Sequence, residues 1–97
     1  MPINQKTLCE KRDLILEIAR RYGASNVRIF GSVARGDATN ASDLDLIVCF
    51  EPGRTLLDHG GLVMDLRELL GMRVDVIDED SMRPRFRQNA MAEAVPL

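Results

Sequence analysis

Tryptophan is absent from this 97-residue chain, and aromatic residues make up only 4% of it. We therefore do not expect an aromatic platform on which the bases of a single-stranded nucleic acid would stack. Long hydrophobic runs are also missing, since residues 46–50 form the longest and a membrane-spanning helix needs roughly 18. No basic start leads into an apolar stretch, so the sequence indicates neither a secretion signal nor a membrane protein.

The sequence also has only two cysteines and a small net charge. Cys9 and Cys49 stand without a CxxC motif or a neighbouring histidine, which disfavours a zinc site and suits a reducing, cytoplasmic setting. Thirteen basic and fifteen acidic residues leave a net charge of −2, so direct nucleic-acid binding is not expected. A mass of 10.9 kDa fits one domain over residues 1–97, with a core so small that a large ligand must bind at the surface.

Hydrophobic periodicity predicts an α+β fold. Apolar residues at three-to-four spacing, or a helix cap, predict helices at three places: residues 4–22, residues 57–70, and a last helix that Ser81 caps and Pro84 opens. Short β-branched runs predict strands at three places: residues 27–30, 44–50 and 73–77. The order α-β-β-α-β-α, with one helical turn over residues 32–35, predicts an α+β sheet layer covered by helices.

The second predicted strand carries two carboxylates. Asp43 and Asp45 are two positions apart, so both side chains point to the same face of the sheet, and no cation lies near them in sequence. Such a pair is unfavourable unless a cation binds between the carboxylates, and Mg²⁺ is the natural occupant. An isolated Asp-x-Asp pair is nevertheless common and does not by itself establish a metal site.

A phosphate-binding turn precedes these acids. Gly31 and Ser32 directly follow a predicted strand, where free backbone N–H groups and a hydroxyl can bind an anionic phosphate. Arg35 in the same turn can add a charge-assisted contact. A turn that binds anions, joined by a ten-residue spacer to a dicarboxylate that binds cations, is typical of a site for a metal–nucleoside triphosphate.

At these residues the sequence resembles a known family. Gly31-Ser32, ten residues and then Asp43-Leu-Asp45 are similar to the signature of the polymerase-β-like nucleotidyltransferase superfamily. The fuller runs, residues 31–36 and 42–46, resemble the minimal nucleotidyltransferases, which are the MNT antitoxins encoded beside HEPN-domain toxins. The resemblance covers nearly the whole chain, and it implies the nucleotidyltransferase type of mixed sheet.

The resemblance also implies roles for particular residues. Four of them would bind the nucleotide: Gly31, Ser32, Arg35 and Ser42. Three would be catalytic and would hold Mg²⁺, two ions in all: Asp43, Asp45 and Asp75. The match for the third acid is Asp75, which lies between two valines of the last predicted strand. We expect the neighbouring acids, residues 78–80, to form a solvated turn past that strand.

The family's chemistry gives a functional hypothesis. Two Mg²⁺ ions would clamp an in-line displacement at the α-phosphorus of ATP, so that AMP passes to an acceptor hydroxyl. Larger members of this superfamily carry an extra helical domain that binds the acceptor. Because few residues follow Ser81, we expect the acceptor to come from another chain or to meet an open face. The resemblance implies a cognate HEPN-type toxin as the partner, in a hetero-oligomer, and a Tyr hydroxyl as the acceptor.

Two rival functions remain open. One is a binding-only antitoxin, which masks the toxin without catalysis. The other is a transferase for a small molecule such as an aminoglycoside; the lack of an expected acceptor domain makes it the least favoured, unless a dimer builds the pocket.

The second predicted helix begins with residues that need an explanation. His59 is the only histidine, and we expect a surface residue there rather than a catalyst. Gly60 and Gly61 are unfavourable inside a helix, which indicates that something packs closely against the backbone. Asp58 suits the helix N-terminus, where a negative charge is favourable.

Overall fold

The computed structural model describes residues 5–36 and 43–97, and these contain five helices and four strands. The helices are α1 Gln5–Glu10, α2 Arg12–Arg21, α3 Ser32–Arg35, α4 Leu56–Leu70 and α5 Pro84–Glu93. The strands are β1 Ala24–Phe30, β2 Leu44–Phe50, β3 Val74–Asp78 and β4 Val95–Pro96. Within these residues no helix combines the length and the apolar character needed to span a membrane.

The strands form one mixed sheet in the order β3-β2-β1-β4. Strand β1 pairs antiparallel with both β2 and β4, whereas β2 and β3 are parallel and are joined through the crossover helix α4. The predicted α+β class and mixed sheet are therefore confirmed.

Besides shifts of one to three residues at the ends of β1, β3 and α4, three details differ from the sequence expectations. The first helix is divided at Lys11, whose backbone leaves helical geometry and whose ammonium group donates to the carbonyl of Leu69. Ser81 does not cap the last helix, because it lies in a 3₁₀ turn over Glu79–Ser81; α5 instead begins after Arg83, with a proline in its first turn. The fourth strand was not predicted, since its two residues have no periodicity to recognise.

One face of the sheet builds the hydrophobic core. Its buried side chains alternate along β1, β2 and β3 and pack against α2 and α4, as the period of a β-strand requires. The largest of them are Leu44, Leu46, Val48 and Val74 on the strands and Ile15, Leu62 and Leu66 on the helices.

The opposite face holds a buried ion pair under α5. The guanidinium of Arg28 donates to both carboxylate oxygens of Glu79 at 3.2 Å, and these side chains are only 7% and 12% exposed. The Cys49 thiol and Arg87 donate to the same carboxylate, at 2.6 and 3.2 Å. These hydrogen bonds, that of Arg28 foremost, lower the pKa of Glu79 to about 2. The expectation of a solvated acid at this position is therefore wrong.

The start of α4 is fixed by reciprocal capping. The Thr55 hydroxyl accepts from the N–H of Leu57, and the Asp58 carboxylate accepts from the N–H of Thr55 at 2.9 Å. This backbone hydrogen bond is the main reason that the pKa of Asp58 lies below its usual value. The prediction that Asp58 belongs to the helix N-terminus is confirmed.

The two glycines of α4 have different environments. A Cβ on Gly61 would lie 2.5 Å from the ring of Tyr22, which packs here from α2 and donates its hydroxyl to Asp65 at 2.6 Å. A Cβ on Gly60 would meet no atom within 4 Å. Close packing, inferred for the pair, is thus required only at Gly61.

His59 is half-buried rather than fully exposed at the surface. Its Nε2 atom lies 2.7 Å from the carbonyl oxygen of Val76, and its ring packs against Phe50 with the centroids 5.4 Å apart. These contacts tie α4 to the edge strand β3, as does the bond from Arg67 Nε to the carbonyl of Val74. His59 therefore has a structural role.

Candidate active site

The register of three strands brings acidic residues from separate segments together. Asp45 on β2 lies opposite Phe30 on β1 and beside Asp75 on β3. Directly paired residues point to the same face, so the two carboxylates neighbour each other on strands about 4.8 Å apart. Asp43 immediately precedes β2 and is two positions from Asp45. The three acids named by the sequence hypothesis thus lie at one end of one face.

The charges of the other two acids affect the pKa of Asp45. Burial raises the pKa of Asp45, the negative charges of Asp75 and Asp43 raise it further, and Arg35 opposes them. The ionised form of Asp45 is therefore disfavoured in the unliganded protein. A cation bound among the three carboxylates would remove this penalty.

Two arginines, called the outer arginines below, lie next to Asp43 and Asp75. Arg73 Nε is 3.6 Å from Asp43, and Arg67 Nη2 is 3.8 Å from Asp75. The expectation that the carboxylates have no nearby cation held only along the sequence, because strand β3 and the end of α4 carry these arginines to the site. All four side chains retain substantial exposure, so each pair is a weak surface interaction.

The chemistry of the donor set suits Mg²⁺. Carboxylate oxygens are the ligands that this hard cation prefers. Within residues 5–36 and 43–97 no three acidic, histidine or cysteine side chains already converge at metal-binding distance. The acids therefore share a face without forming a closed ligand set, and the role of Asp43, Asp45 and Asp75 as metal ligands stays a prediction.

Gly31 connects the predicted phosphate turn to these acids. Its backbone has φ +82° and ψ −150°, a conformation that is essentially restricted to glycine. A Cβ at this position would lie 2.6 Å from Oδ2 of Asp45. The turn between β1 and α3 is therefore in direct contact with the carboxylate, and only a glycine permits it.

The other nucleotide-binding candidates are partly placed. Ser32 begins α3 and is half-buried, and the helical turn predicted over residues 32–35 is confirmed. The exposed Arg35 closes this turn and lies 3.5 Å from Glu93 of α5. Ser42 lies outside the described residues. The binding roles of Gly31, Ser32, Arg35 and Ser42 stay predictions.

One residue beside the site was not found from the sequence. Phe86 on α5 meets Phe30 edge to face, with ring centroids 6.1 Å apart, and is 48% exposed. Phe30 is the cross-strand partner of Asp45, so the aromatic pair adjoins the acids. No sequence signal linked Phe86 to the motif, because 55 residues separate the two phenylalanines.

A glycine-to-alanine series tests the contact between turn and carboxylate. Gly31→Ala is expected to lose about 1–3 kcal/mol from backbone strain alone, and to weaken ATP binding because Asp45 must move. Gly60→Ala is the matched control and should be neutral or more stable by up to about 1 kcal/mol, since its site is open and helical. Urea unfolding and calorimetric titration with ATP measure both effects. Equal stability and equal ATP binding of the two variants would contradict the contact between the Gly31 turn and Asp45.

Comparison with known proteins identifies the family. A family model described as a nucleotidyltransferase domain matches residues 11–97. The protein adenylyltransferase MntA of Thermococcus cleftensis is 35% identical over 79 residues, which cover 81% of this chain and 80% of the relative. A Methanocaldococcus jannaschii protein, provisionally named a protein adenylyltransferase, is 38% identical over 81 residues, covering 84% and 87%.

Solved structures agree on the fold. One that is provisionally described as a minimal nucleotidyltransferase superposes with a TM-score of 0.89 and 50% identity, over 98% of this chain and 97% of the other. A toxin–antitoxin structure with AMP-PNP superposes with a TM-score of 0.76, over 87% of this chain and 69% of the other; at 21% identity it supports the fold alone. The chain therefore belongs to the nucleotidyltransferase domain family and, within the polymerase-β-like superfamily, is a minimal nucleotidyltransferase of the MNT type.

Proposed function

We propose that this protein is an adenylyltransferase antitoxin of the cytoplasm. It transfers AMP from ATP, with Mg²⁺, to a Tyr hydroxyl of a cognate HEPN-type RNase toxin, with which it forms a hetero-oligomer. Relatives named protein adenylyltransferases support the reaction class, and the toxin–antitoxin assemblies among its structural neighbours support the kind of partner. The single observation that carries the proposal is the contact of the Gly31 turn with the Asp45 carboxylate.

The three acids would hold the metal. Asp45 neighbours both of the others, and the raised pKa of its carboxyl indicates that a bound cation would favour its ionisation. Mg²⁺ bound there would neutralise charge on the phosphates and lower the pKa of the acceptor hydroxyl.

The chain's own groups supply binding, orientation and a proton acceptor. The N–H groups and hydroxyl of the Gly31–Ser32 turn bind the triphosphate, and Arg35 adds a charge-assisted contact. The acceptor oxygen attacks the α-phosphorus in line, the bond from that phosphorus to the bridging oxygen breaks, and pyrophosphate leaves. Asp75 has a side chain that is 55% exposed, so it can meet the acceptor and take its proton.

Exposure of the site suits a protein acceptor. Asp75 lies on β3, which is an edge strand of the sheet among the described residues. Helix α5 does not cover this edge; it packs over β1 and the 3₁₀ turn. A side chain on another folded protein can therefore approach the acids from the β3 edge. AMP added to such a residue would place bulk and negative charge beside the toxin's RNA-binding surface, which would hinder RNA binding.

Intact-mass measurement of the toxin tests the reaction. Incubation with this protein, ATP and Mg²⁺ is expected to increase the toxin's mass by whole AMP groups. An ATP analogue with a methylene between its α- and β-phosphorus atoms should add nothing, because the bond to be broken has been replaced. EDTA should also prevent the increase. An unchanged toxin mass with ATP and Mg²⁺ would rule out the proposed transfer.

A second candidate is neutralisation by binding alone. It is supported by the toxin–antitoxin assemblies among the structural neighbours, which require contact between the two chains but not catalysis. The double variant Asp43→Ala/Asp45→Ala distinguishes the candidates in a growth assay with the toxin co-expressed. Rescue equal to that of the unaltered protein would favour masking, whereas loss of rescue with retained complex formation would favour catalysis.

A further inference from the structure

Aromatic side chains are scarce in this protein, so their positions are informative. There are one Tyr, three Phe and no Trp. Tyr22 packs against Gly61 and hydrogen-bonds Asp65, while Phe50 packs against His59. Both therefore serve the fold. The remaining pair, Phe30 and Phe86, lies on the face of the sheet that carries the acids.

Among the described residues, Phe86 is the one aromatic side chain that is exposed. Phe30 supports its ring in an edge-to-face contact, an arrangement that fixes the orientation of both rings. Two contacts hold helix α5 at positions after Phe86, because Arg87 binds Glu79 and Glu93 pairs with Arg35. A large apolar ring therefore lies half-exposed at 48%, although its burial would favour folding.

The position of this ring relative to the phosphate turn is the decisive point. Phe30 directly precedes Gly31 in the chain, and across the strands it faces Asp45. A nucleotide whose phosphates lie at the Gly31–Ser32 turn therefore has its phosphate end beside the aromatic pair. Its base is the part that can extend over an apolar surface, since every base has a π-face that stacks on aromatic side chains.

We infer that the nucleobase of the bound triphosphate stacks on Phe86, with Phe30 as the residue that positions its ring. The ligand class is a purine nucleotide, because the two-ring base covers more of an exposed phenyl ring than a pyrimidine does. Stacking selects by ring area and not by hydrogen-bond pattern, so ATP and GTP should bind alike and CTP more weakly. This inference rests on the proposed function, in which the site binds a nucleoside triphosphate.

Binding measurements on the full chain test the inference directly. With Mg²⁺ present, Phe86→Leu is expected to weaken ATP binding roughly tenfold to a hundredfold, the range found when a stacking aromatic is removed. Phe86→Tyr should bind ATP within about threefold of the unaltered protein, because the ring is kept. Inorganic tripolyphosphate, which has no base, should bind Phe86→Leu as tightly as the unaltered protein.

Controls separate stacking from an effect on the fold. Met64→Ala changes another exposed apolar residue, on α4, and should leave ATP binding unchanged. Equal weakening of ATP and tripolyphosphate by Phe86→Leu, or no weakening of ATP, would overturn the inference. Phe86-dependent ATP binding without AMP transfer to the toxin would support the base site and refute the proposed function. An unaltered chain that binds no nucleotide would refute both.

Discussion

Replacement of Asp45 by Asn is expected to reduce AMP transfer by at least about 100-fold and, at the same time, to make the unliganded protein more stable. The loss of activity follows because the amide carries no charge to hold a cation at the reacting phosphates. The gain in stability follows because a partly buried carboxylate beside two others is replaced by a neutral group. Opposite changes in activity and stability are typical of functional sites.

The pH dependence of this gain has a definite sign. Burial and the charges of Asp75 and Asp43 raise the pKa of Asp45 in the folded protein. Protonated Asp45 is therefore compatible with folding, and its ionisation lowers stability as the pH rises through the folded pKa. The free energy of unfolding of Asp45→Asn should equal that of the unaltered protein at acidic pH and exceed it at neutral pH. Relief of such a site commonly yields about 0.5–2 kcal/mol.

Thermal unfolding without Mg²⁺ and the transfer assay measure the two effects. For a domain of this size about 1 kcal/mol corresponds to roughly 4–8 °C in Tm. Asp80→Asn is the matched control, since it makes the same chemical change at an exposed residue of the 3₁₀ turn. Retention of transfer by Asp45→Asn, or a fall in its Tm at neutral pH, would contradict the placement of Asp45 in the site.

Replacement of Arg28 by Met is expected to cost about 3–5 kcal/mol of unfolding free energy, because it leaves the Glu79 carboxylate buried without its main partner. This is a large loss, because the total free energy of unfolding of a native protein is only about 5–15 kcal/mol. Arg85→Met on the exposed surface of α5 is the control and should change stability by less than about 0.5 kcal/mol. Urea unfolding at pH 7 compares them, and similar midpoints would contradict a structural role for the ion pair.

Acid titration adds an independent test of the same ion pair. The pKa of Glu79 is about 2 in the folded protein and near 4.5 when the chain is unfolded. Its contribution to stability is therefore complete above pH 4.5 and is lost as the pH falls toward 2. Glu79→Gln should show a smaller loss of stability over this interval. The apolar double variant Arg28→Met/Glu79→Leu should recover much of the stability that Arg28→Met loses, since no buried charge remains.

Short-range features of the fold could be predicted from the sequence. Strand β2 has the predicted bounds, and the turn over residues 32–35 is where glycine and the end of a β-branched run indicated it. These features depend on alternation and backbone preference over a few residues, which are written in the local sequence. The division at Lys11 and strand β4 were missed because they depend on distant partners, Leu69 and the middle of β1.

The candidate site shows the same limit. Gly31, Asp43 and Asp45 were recognised because one short segment carries the spacing that the chemistry needs. Glu79 was misjudged because its burial is decided by Arg28, which lies 51 residues away in the chain. The outer arginines at residues 67 and 73 likewise reach the acids only through strand pairing and helix packing. Phe86 reaches Phe30 in the same way.

The sequence by itself determined the α+β class, the helical turn after Gly31 and the spacing of the acids that follow it, because periodicity and motif spacing act within a few residues. The tertiary structure alone decided which side chains surround that motif. Strand register set Asp75 and Phe30 on either side of Asp45, and the packing of α5 placed Arg87 against Glu79 and Phe86 against Phe30. The physical reason is that burial and charge pairing depend on contacts between residues far apart in the chain, which no local pattern records.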